Sequence, residues 1–425
     1  MVAGRPAGFA SMSEPALVDL DIESIAAGGD GVARTGRLVV FVPRTAPGDV
    51  ARVRLRRGRH FARGTLEGIV RPGPDRIEPP CAHYTRDRCG GCQLQHVSYA
   101  GQLGAKRGII HDALRRIGHR DVEAPQVRPS EAPWRYRRKL TLTVRRTGAG
   151  WVGGLHAYDN PVDVFRLADC PITDEQVLVV WREVFRAARY YPDAATFRAA
   201  VRLVADQAVL VVEGGKRWPS ARRFFEAVPS LAALWWEPDG DRRRLVAERT
   251  IVPGGASFGQ VNTEVARALR DYVVERARAH APRHLVDAYA GTGETALPLA
   301  TSGVRVTALE LDPEAVAACN SRLPAGSRAI AGRVEDLLAS VLPADVVILN
   351  PPRAGVHEVV TTTLAAADPA PSAVIYVSCN PATLARDLTR LPSYRIASLL
   401  GFDMFPQTAH VETVCELVSA GAPRA

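Results

Sequence analysis

The amino-acid sequence predicts an α/β protein whose C-terminal part forms a doubly wound parallel sheet. From residue 258 onward, strand-like and helical stretches alternate, which favours parallel strands joined by helices. Residues 17–71 instead show short strands separated by turn signals, a pattern typical of a small β-barrel. The region between them is mixed α+β. We therefore expect three domains, at residues 16–76, 77–255 and 256–425.

The composition is that of a globular protein with a basic surface. Hydrophobic residues make up 47% of the 425 residues and charged residues 23%, which is enough to build several cores. The net charge is +9, and nearly all of the cations are Arg, which binds phosphate bidentately. This balance favours a polyanionic partner. No apolar run reaches the roughly 20 residues that span a bilayer, and no signal peptide is evident, so we expect a cytoplasmic protein without a membrane partner.

The N-terminal strands carry a row of arginines. Arg52, Arg54 and Arg56 alternate along a strand-like run at residues 49–55 and beyond, so they project from one face. The row is either a solvated strand face or the phosphate-binding face of a barrel. A Pro/Gly-rich stretch at residues 72–80 predicts a linker.

Four cysteines of the central region are candidate metal ligands. They are Cys81, Cys89, Cys92 and Cys170. In a reducing compartment, clustered cysteines indicate metal binding or catalysis more often than disulfides. Four thiolates can hold a tetrahedral zinc ion or a [4Fe-4S] cluster, and the spacing does not choose between them. Unliganded buried cysteines are the remaining alternative.

A helical pattern at residues 99–117 is followed by a basic aromatic run at residues 134–139, which leads into a strand-like run at residues 140–144. Aromatic side chains among Arg and Lys suit base stacking and phosphate contact on RNA. An edge strand with a charged rim explains the same pattern equally well.

A glycine-rich turn follows the first strand of the C-terminal region. It carries Asp287, Tyr289, Gly291 and Gly293. Glycines there let the backbone approach a ligand closely at the carboxyl end of the strand. Glu310 ends the next strand, where a carboxylate can accept hydrogen bonds from ribose hydroxyls. The pair predicts an adenosine-containing cofactor, and Ala296 in place of the third glycine of the dinucleotide motif favours S-adenosylmethionine (SAM) over NAD.

The sequence Asn350-Pro351-Pro352-Arg353 follows the strand-like run at residues 344–349. This places it at the same predicted sheet edge as the cofactor. Asn-Pro-Pro also occurs in methyltransferases that act on exocyclic amines, where an aromatic residue follows instead of Arg353. N-methylation is therefore one hypothesis for the reaction, and a simple strand-ending turn is the structural alternative.

Cys379 follows the strand-like run at residues 373–378 and is either a small core residue or a nucleophile. Uracil C5 is a poor nucleophile toward a methyl sulfonium, and a thiolate that adds to C6 converts the ring into a reactive enolate. A general base must then remove the C5 proton. Glu412 is the candidate, and His410 is the alternative.

Together these motifs resemble the RNA uracil-C5 methyltransferase family, in particular its cluster-bearing enzymes that modify 23S ribosomal RNA. The resemblance rests on residues 89–96 (CGGCQLQH), 170–172 (CPI) and 258–262 (FGQVN). It implies a class I SAM methyltransferase domain, an OB-like TRAM barrel at residues 17–76, and a [4Fe-4S] cluster on the four cysteines.

The resemblance also implies roles for single residues. Gln260, Tyr289, Glu294 and Glu310 fall on SAM-contacting positions, Phe258 lies near the target base, Cys379 is the nucleophile and Glu412 the base. Three positions depart from the usual pattern: Asn350 replaces an Asp, Glu294 an Asn, and Arg333 a smaller polar residue. The segment between Cys81 and Cys89 is also longer than is common.

The sequence thus predicts a monomeric enzyme that methylates C5 of a uridine in structured RNA, 23S ribosomal RNA in particular. The alternatives are N-methylation of an exocyclic amine and a non-catalytic RNA-binding scaffold.

Overall fold

The structure is a computed structural model, and it describes residues 17–252 and 260–419. The chain divides into two compact units. The first contains residues 17–78 with His96–Ser98, and the second contains Pro79–Gln95 and the chain from Tyr99 onward.

The first unit is a six-stranded sheet in the order β1-β5-β6-β4-β3-β2. Its strands are β1 (Leu17–Asp21), β2 (Ser24–Ile25), β3 (Gly31–Thr35), β4 (Leu38–Val42), β5 (Val50–Arg57) and β6 (Ala62–Arg71). Along β5 the buried residues Ala51, Val53 and Leu55 alternate with exposed arginines, because successive side chains of a strand point to opposite faces. The predicted one-sided arginine row is confirmed. Carboxylates of the same sheet neutralise two of its members, since Arg52 pairs with Asp19 and Arg54 with Glu67.

The second unit begins with a largely antiparallel region. Its elements are α1 (Ala82–Thr85), α2 (Tyr99–Arg116), β7 (Gln126–Arg128), β8 (Lys139–Thr147), β9 (Gly150–Gly154), α3 (Glu175–Arg186), a 3-10 turn (Ala188–Tyr190), β10 (Thr196–Val204), β11 (Gln207–Glu213), α4 (Ala221–Glu226), β12 (Leu231–Glu237) and β13 (Arg244–Glu248). Six of these strands form a sheet in the order β13-β12-β11-β10-β8-β9. Helix α3 buries Val177, Val180, Trp181 and Val184, which the helical period places on one face.

The C-terminal region alternates strands and helices, as predicted. Its elements are α5 (Thr263–Ala279), β14 (His284–Ala288), α6 (Ala296–Ala300), β15 (Arg305–Glu310), α7 (Pro313–Asn320), β16 (Arg328–Ala331), α8 (Val334–Val341), β17 (Val346–Leu349), α9 (Glu358–Ala366), β18 (Ala373–Ser378), α10 (Pro381–Leu388), β19 (Tyr394–Phe402) and β20 (Glu412–Ser419). The sheet runs β16-β15-β14-β17-β18-β20-β19-β7, with β20 antiparallel to both of its neighbours.

Every residue of β14, β17 and β18 is buried, because helices cover both faces of a parallel sheet. Side chains that alternate along these strands pack into two separate hydrophobic cores. Val286 and Leu349 belong to one core, whereas Leu285 and Ile348 belong to the other. The predicted doubly wound fold is confirmed.

One part of the central region belongs to the C-terminal sheet. Strand β7 pairs with β19, and helix α2 packs against α10. The sequence analysis assigned both elements to the central domain because they precede residue 256. The division into domains at residues 77–255 and 256–425 stays a prediction. No helix of the described residues is both long and apolar enough to cross a membrane.

Candidate active site

The candidate site lies at the carboxyl edge of the parallel sheet. The strand order reverses at β14, which has β15 on one side and β17 on the other. Ligands bind in the crevice at such a switch point. Parallel register aligns Ala288 with Leu309 and Leu349, and Leu349 with Tyr376. The residues that follow these strands therefore lie along one edge, and they are Tyr289, Glu310, Asn350 and Cys379.

The glycine turn after β14 needs its glycines. Gly291 and Gly293 have φ angles of 56° and 86°, which L side chains rarely adopt. At residue 293 an added Cβ would lie 2.4 Å from the Sγ atom of Cys319. Tyr289 also has a positive φ, of 63°, and such strain in a non-glycine residue is often found at functional sites.

Glu310 anchors this turn. One oxygen accepts a hydrogen bond from the Gly291 amide at 2.8 Å, and the other accepts from the amides of Leu311 and Asp312 at 2.7 and 3.0 Å. A carboxylate has about four lone-pair directions. Ribose hydroxyls at Glu310 would therefore share its oxygens with these backbone donors.

Asp287 is completely buried near the start of α6. Neither of its oxygens has a hydrogen-bond partner among the described residues. Burial raises the pKa of Asp287 to about 7, while the nearby Thr295 hydroxyl and Ala296 amide lower it and the charge of Glu310 raises it. A buried carboxyl group of this kind is costly as an anion.

The remaining predicted cofactor residues are exposed. Gln260 lies just before α5, and Phe258 is outside the described residues. Asn350 donates its backbone amide to Ala288 at 3.2 Å. The carboxylate of Glu294 lies 3.0 Å from Arg270 and 3.8 Å from Arg322, so ion pairs engage it.

Cys379 and Glu412 are brought together by the pairing of β18 with β20. Ser378 pairs with Thr413 in antiparallel register, Cys379 directly follows Ser378 at the end of β18, and Glu412 directly precedes Thr413 at the start of β20. Cys379 is half-buried, and Glu412 is buried. Burial raises the pKa of Glu412 to about 7, and the charge of Arg353 opposes this shift. A carboxylate with a pKa near neutrality is suited to general base catalysis.

Arg353 is a site residue that the sequence analysis did not select. Burial raises the pKa of Cys379, the charge of Glu412 adds to this, and the charge and hydrogen bonding of Arg353 lower it. Arg353 thus faces both groups and stabilises the thiolate. The signal in the sequence was its place after Asn-Pro-Pro, where amine methyltransferases carry an aromatic residue.

The loop that carries Arg353 is anchored by a buried carboxylate. Asp387 of α10 accepts hydrogen bonds from the Val356 amide at 3.0 Å and the Tyr376 hydroxyl at 2.7 Å. Gly355 in this loop has a φ of 80°, and an added Cβ would lie 2.4 Å from the Oδ2 atom of Asp387. The loop is therefore closely packed against α10.

His410, the alternative base, lies two residues before Glu412 and is exposed to solvent at the sheet edge. Desolvation and then the charges of Arg353, Lys106 and Arg137 hold its pKa below the ordinary value. Three cationic side chains thus act on this part of the site, and one of them, Lys106, is itself paired with Asp403.

The four central cysteines lie buried within one neighbourhood. Burial raises the pKa of the Cys92 thiol, Gln95 lowers it, and the nearby thiols of Cys170, Cys89 and Cys81 raise it further. The amide of Ala168 donates to His83 at 3.0 Å, which ties the segment after Cys81 to the one before Cys170. Among the residues described, no three His, Cys, Asp or Glu side chains are arranged to hold a single metal ion.

The fold and the site together define a class of protein. The sheet has a switch-point crevice with a glycine turn, a carboxylate on the second strand and an antiparallel pair formed by the last two strands of the chain. This is the arrangement of class I SAM-dependent methyltransferases. The tRNA (uracil-5-)-methyltransferase family model matches residues 246–419.

The comparisons extend over nearly the whole chain. An uncharacterized RNA methyltransferase of Halalkalibacterium halodurans is 31% identical over 94% of this chain and 96% of its own. Another from Thermosynechococcus vestitus is 32% identical over 95% and 98%. The chain therefore belongs to the tRNA (uracil-5-)-methyltransferase family, whose members are SAM-dependent RNA methyltransferases, and the predicted enzyme class is confirmed.

A solved structure shares the fold. The tRNA (uracil-54, C5)-methyltransferase of Pyrococcus abyssi, in complex with S-adenosyl-L-homocysteine, matches with a TM-score of 0.69 at 22% identity. The match covers 94% of this chain and 99% of that one.

Proposed function

We propose that the protein methylates C5 of a uridine in structured RNA, 23S ribosomal RNA in particular, with Cys379 as the nucleophile and Glu412 as the base. The observation that supports this proposal is the antiparallel register of β18 and β20, whose last pair, Ser378 with Thr413, is directly adjacent to Cys379 and Glu412 in the chain. The charges of Glu412 and Arg353 both act on the Cys379 thiol. The same sheet edge carries the glycine turn and Glu310.

The first step is addition of the Cys379 thiolate to uracil C6. A bond forms between Sγ and C6, and the electron pair of the C5–C6 double bond moves toward O4 to give an enolate. Arg353 favours this step because its charge opposes the rise in the pKa of Cys379. SAM, when bound, supplies the methyl group that C5 attacks.

The second step is removal of the C5 proton by Glu412. The carboxylate takes the proton, the electrons restore the C5–C6 double bond, and the bond between C6 and Sγ breaks to release the thiolate. Because burial brings the pKa of Glu412 to about 7, a large fraction of it is ionised at neutral pH. The base is thus both available and strong enough for this proton.

For the cofactor, we assign Glu310 to the ribose hydroxyls and the backbone at Gly291 and Gly293 to close approach of the ligand. Asp287 stays assigned to the cofactor site as a residue of the strand that leads into this turn. We also keep the assignment of four further residues to SAM binding, and they are Tyr289, Gln260, Glu294 and Asn350. The ion pairs of Glu294 with Arg270 and Arg322 would have to open for a direct contact with SAM.

A trapping experiment tests the reaction. RNA that contains 5-fluorouridine lacks the C5 proton, so the enzyme with SAM should stay covalently attached to it. Cys379→Ala should abolish the adduct, whereas Cys415→Ala, which removes a buried thiol from β20, should retain it. Methyl transfer by Cys379→Ala would favour N-methylation instead. Absence of both SAM binding and methyl transfer in the wild type would favour a non-catalytic scaffold.

We further propose that Cys81, Cys89, Cys92 and Cys170 hold a [4Fe-4S] cluster as a structural staple. Its support is the burial of the four thiols and their mutual effect on the pKa of Cys92. Each thiolate of such a cluster binds a different iron, so that the ligands lie farther apart than those of a single ion. Iron and sulfide analysis of anaerobically purified protein, with Cys92→Ser as the comparison, tests this. Chelation that left thermal stability and RNA binding unchanged would contradict it.

We infer 23S ribosomal RNA as the target from two features together. One is the arginine-bearing first unit, proposed to be a TRAM-like barrel at residues 16–76, and the other is the set of four cysteines. Mapping of 5-methyluridine in ribosomal and transfer RNA from a deletion strain would identify the target. Light scattering on the purified protein tests the proposed monomer.

A further inference from the structure

A buried glutamine lies in the loop that joins β19 to β20, five residues before Glu412. Gln407 is only 2% exposed, and its φ of 69° lies in the left-handed region. Non-glycine residues rarely adopt this conformation unless the surroundings hold them in it. The contacts around Gln407 therefore decide the path of the chain toward the base.

Three separate segments bind Gln407. Its amide donates to the side-chain oxygen of Gln102 at 2.9 Å, and its own side-chain oxygen accepts from Gln102 Nε2 at 2.9 Å. Its carbonyl accepts from the amides of Gln93 and Leu94 at 3.1 and 3.0 Å. Its side-chain amide donates to the carbonyl of Pro133 at 3.5 Å.

Helix α2 holds the same loop at further points. Lys106 lies one turn after Gln102, on the same helix face. Its buried ammonium pairs with Asp403 and donates to the carbonyl of Phe405 at 3.1 Å. The hydroxyl of Tyr136 donates to the carbonyl of Pro406 at 3.0 Å. The chain leading to Glu412 is thus bound at four of its residues.

We propose that Gln102 and Gln407 are positioning residues that hold Glu412 against Cys379, and that they connect the base to the segment directly after Cys92. Gln93 and Leu94 are the first two residues of that segment, so a shift of the cysteine loop moves the donors of the Gln407 carbonyl. The reciprocal pair is buried, so loss of the Gln102 side chain deprives the backbone amide and the side-chain oxygen of Gln407 of the two hydrogen bonds that it supplies. The loop therefore has one strongly favoured position.

This inference rests on the proposed function and makes a specific chemical statement. Thiolate addition to C6 needs Cys379 and does not need Glu412, whereas release of the product needs Glu412 to take the C5 proton. Displacement of the base alone therefore slows the second step, and the covalent RNA adduct accumulates on ordinary uridine.

Gln102→Leu and Gln407→Gly test the positioning role. Leucine removes the amide at similar size, and glycine keeps the left-handed backbone without the side chain. Both variants should form the 5-fluorouridine adduct at nearly the wild-type rate. Release of methylated RNA in a single turnover should slow on the order of tenfold to a hundredfold, as for a misplaced catalytic group. Gln176→Leu, which alters a glutamine of α3 bound to Asp206, should change neither step.

Hydrogen exchange tests the connection to the cysteine loop without measuring activity. In Cys92→Ser the amides of residues 403–411 should exchange faster than in the wild type, and Gln102→Leu should produce the same change. The inference would be overturned if the glutamine variants slowed adduct formation and product release equally, or slowed neither. Unchanged hydrogen exchange in Cys92→Ser would also overturn it. Absence of a 5-fluorouridine adduct with the wild type would instead refute the proposed function.

Discussion

Burial makes the negative charge of Glu412 costly, whereas the proposed reaction requires that charge. Burial raises its pKa to about 7 from an ordinary value of 4.5. Between these two values the folded protein binds more protons than the unfolded chain, so the contribution of Glu412 to stability falls as pH rises through this window. The rate should change in the opposite direction, because only the ionised carboxylate accepts a proton.

We expect the rate of product release to rise with pH across pH 6 to 8, with an inflection near the pKa of Glu412. Single-turnover release of methylated RNA, measured at saturating SAM and RNA, gives this profile. The rate of adduct formation with 5-fluorouridine RNA is the internal control, because it depends on the ionisation of Cys379 and not on Glu412. A release rate independent of pH over this range would argue against Glu412 as the base.

Glu412→Gln should stabilise the protein at alkaline pH while blocking release. The neutral amide avoids the free-energy cost of burying a charge. At 1.36 kcal/mol for each pKa unit, this cost is roughly 2–3 kcal/mol larger at pH 8 than at pH 5. Urea unfolding of the variant and the wild type at both pH values measures the difference. An equal effect of the substitution at both pH values would show that ionisation of Glu412 is not the cause.

Arg353→Gln should raise the pKa of Cys379, because it removes the positive charge and hydrogen bond that oppose the effect of burial. The rate of alkylation of Cys379 by iodoacetamide, followed by mass spectrometry as a function of pH, reports the thiolate fraction. The alkylation profile should move to higher pH. Arg328→Gln, an exposed position on β16, is the matched control and should leave the profile in place.

At the scale of elements, the strand ends and the loops after them carry the site, and α10 supports one of these loops through Asp387. Strands β14, β15, β17 and β18 were predictable because short apolar runs bounded by turn residues mark buried parallel strands. The short, partly exposed strand β16 was not predicted. Strand β7 has only three residues and no distinctive pattern, so its membership of the C-terminal sheet depends on its pairing with β19. The pairing of β7 with β19 and the packing of α2 on α10 could therefore not be foreseen from the sequence.

Asp387→Ala should destabilise the protein by about 2–4 kcal/mol, because buried donors that lose their acceptor cost about 1–3 kcal/mol each. The substitution leaves the Val356 amide and the Tyr376 hydroxyl without their acceptor and Arg386 without its carboxylate. Tyr376→Phe, which removes one hydrogen bond, should cost only about 1 kcal/mol. Urea unfolding of both variants gives the comparison, and similar losses for the two would contradict the anchoring role of Asp387.

At the scale of the whole molecule, the chain combines an arginine-bearing first unit with a methyltransferase sheet in the second. Arg52 and Arg54 are already paired with carboxylates, whereas Arg56 extends the same exposed face. Binding of a polyanion through such side chains releases counterions, so affinity falls with salt.

Arg56→Gln should weaken RNA binding at every sequence and reduce the slope of log affinity against log salt by about 0.7–0.9 for one lost phosphate contact. Arg52→Gln should change the slope less, because its guanidinium is already neutralised by Asp19. Fluorescence anisotropy with a structured RNA at several salt concentrations measures both slopes. Unchanged slopes for both variants would show that the first unit is not part of the RNA-binding surface.

The alternation of strands and helices in the C-terminal region and the glycine turn were determined by the sequence alone, because periodicity and local motifs are properties of neighbouring residues. Local motifs also selected Cys379 and Glu412 as the proposed nucleophile and base. Only the tertiary structure decided that Arg353 faces Cys379 and Glu412, that burial brings the pKa of Glu412 to about 7, and that Gln102 binds Gln407 from 305 positions away in the chain. These features depend on which surfaces exclude water and which distant segments meet, and no local pattern encodes them.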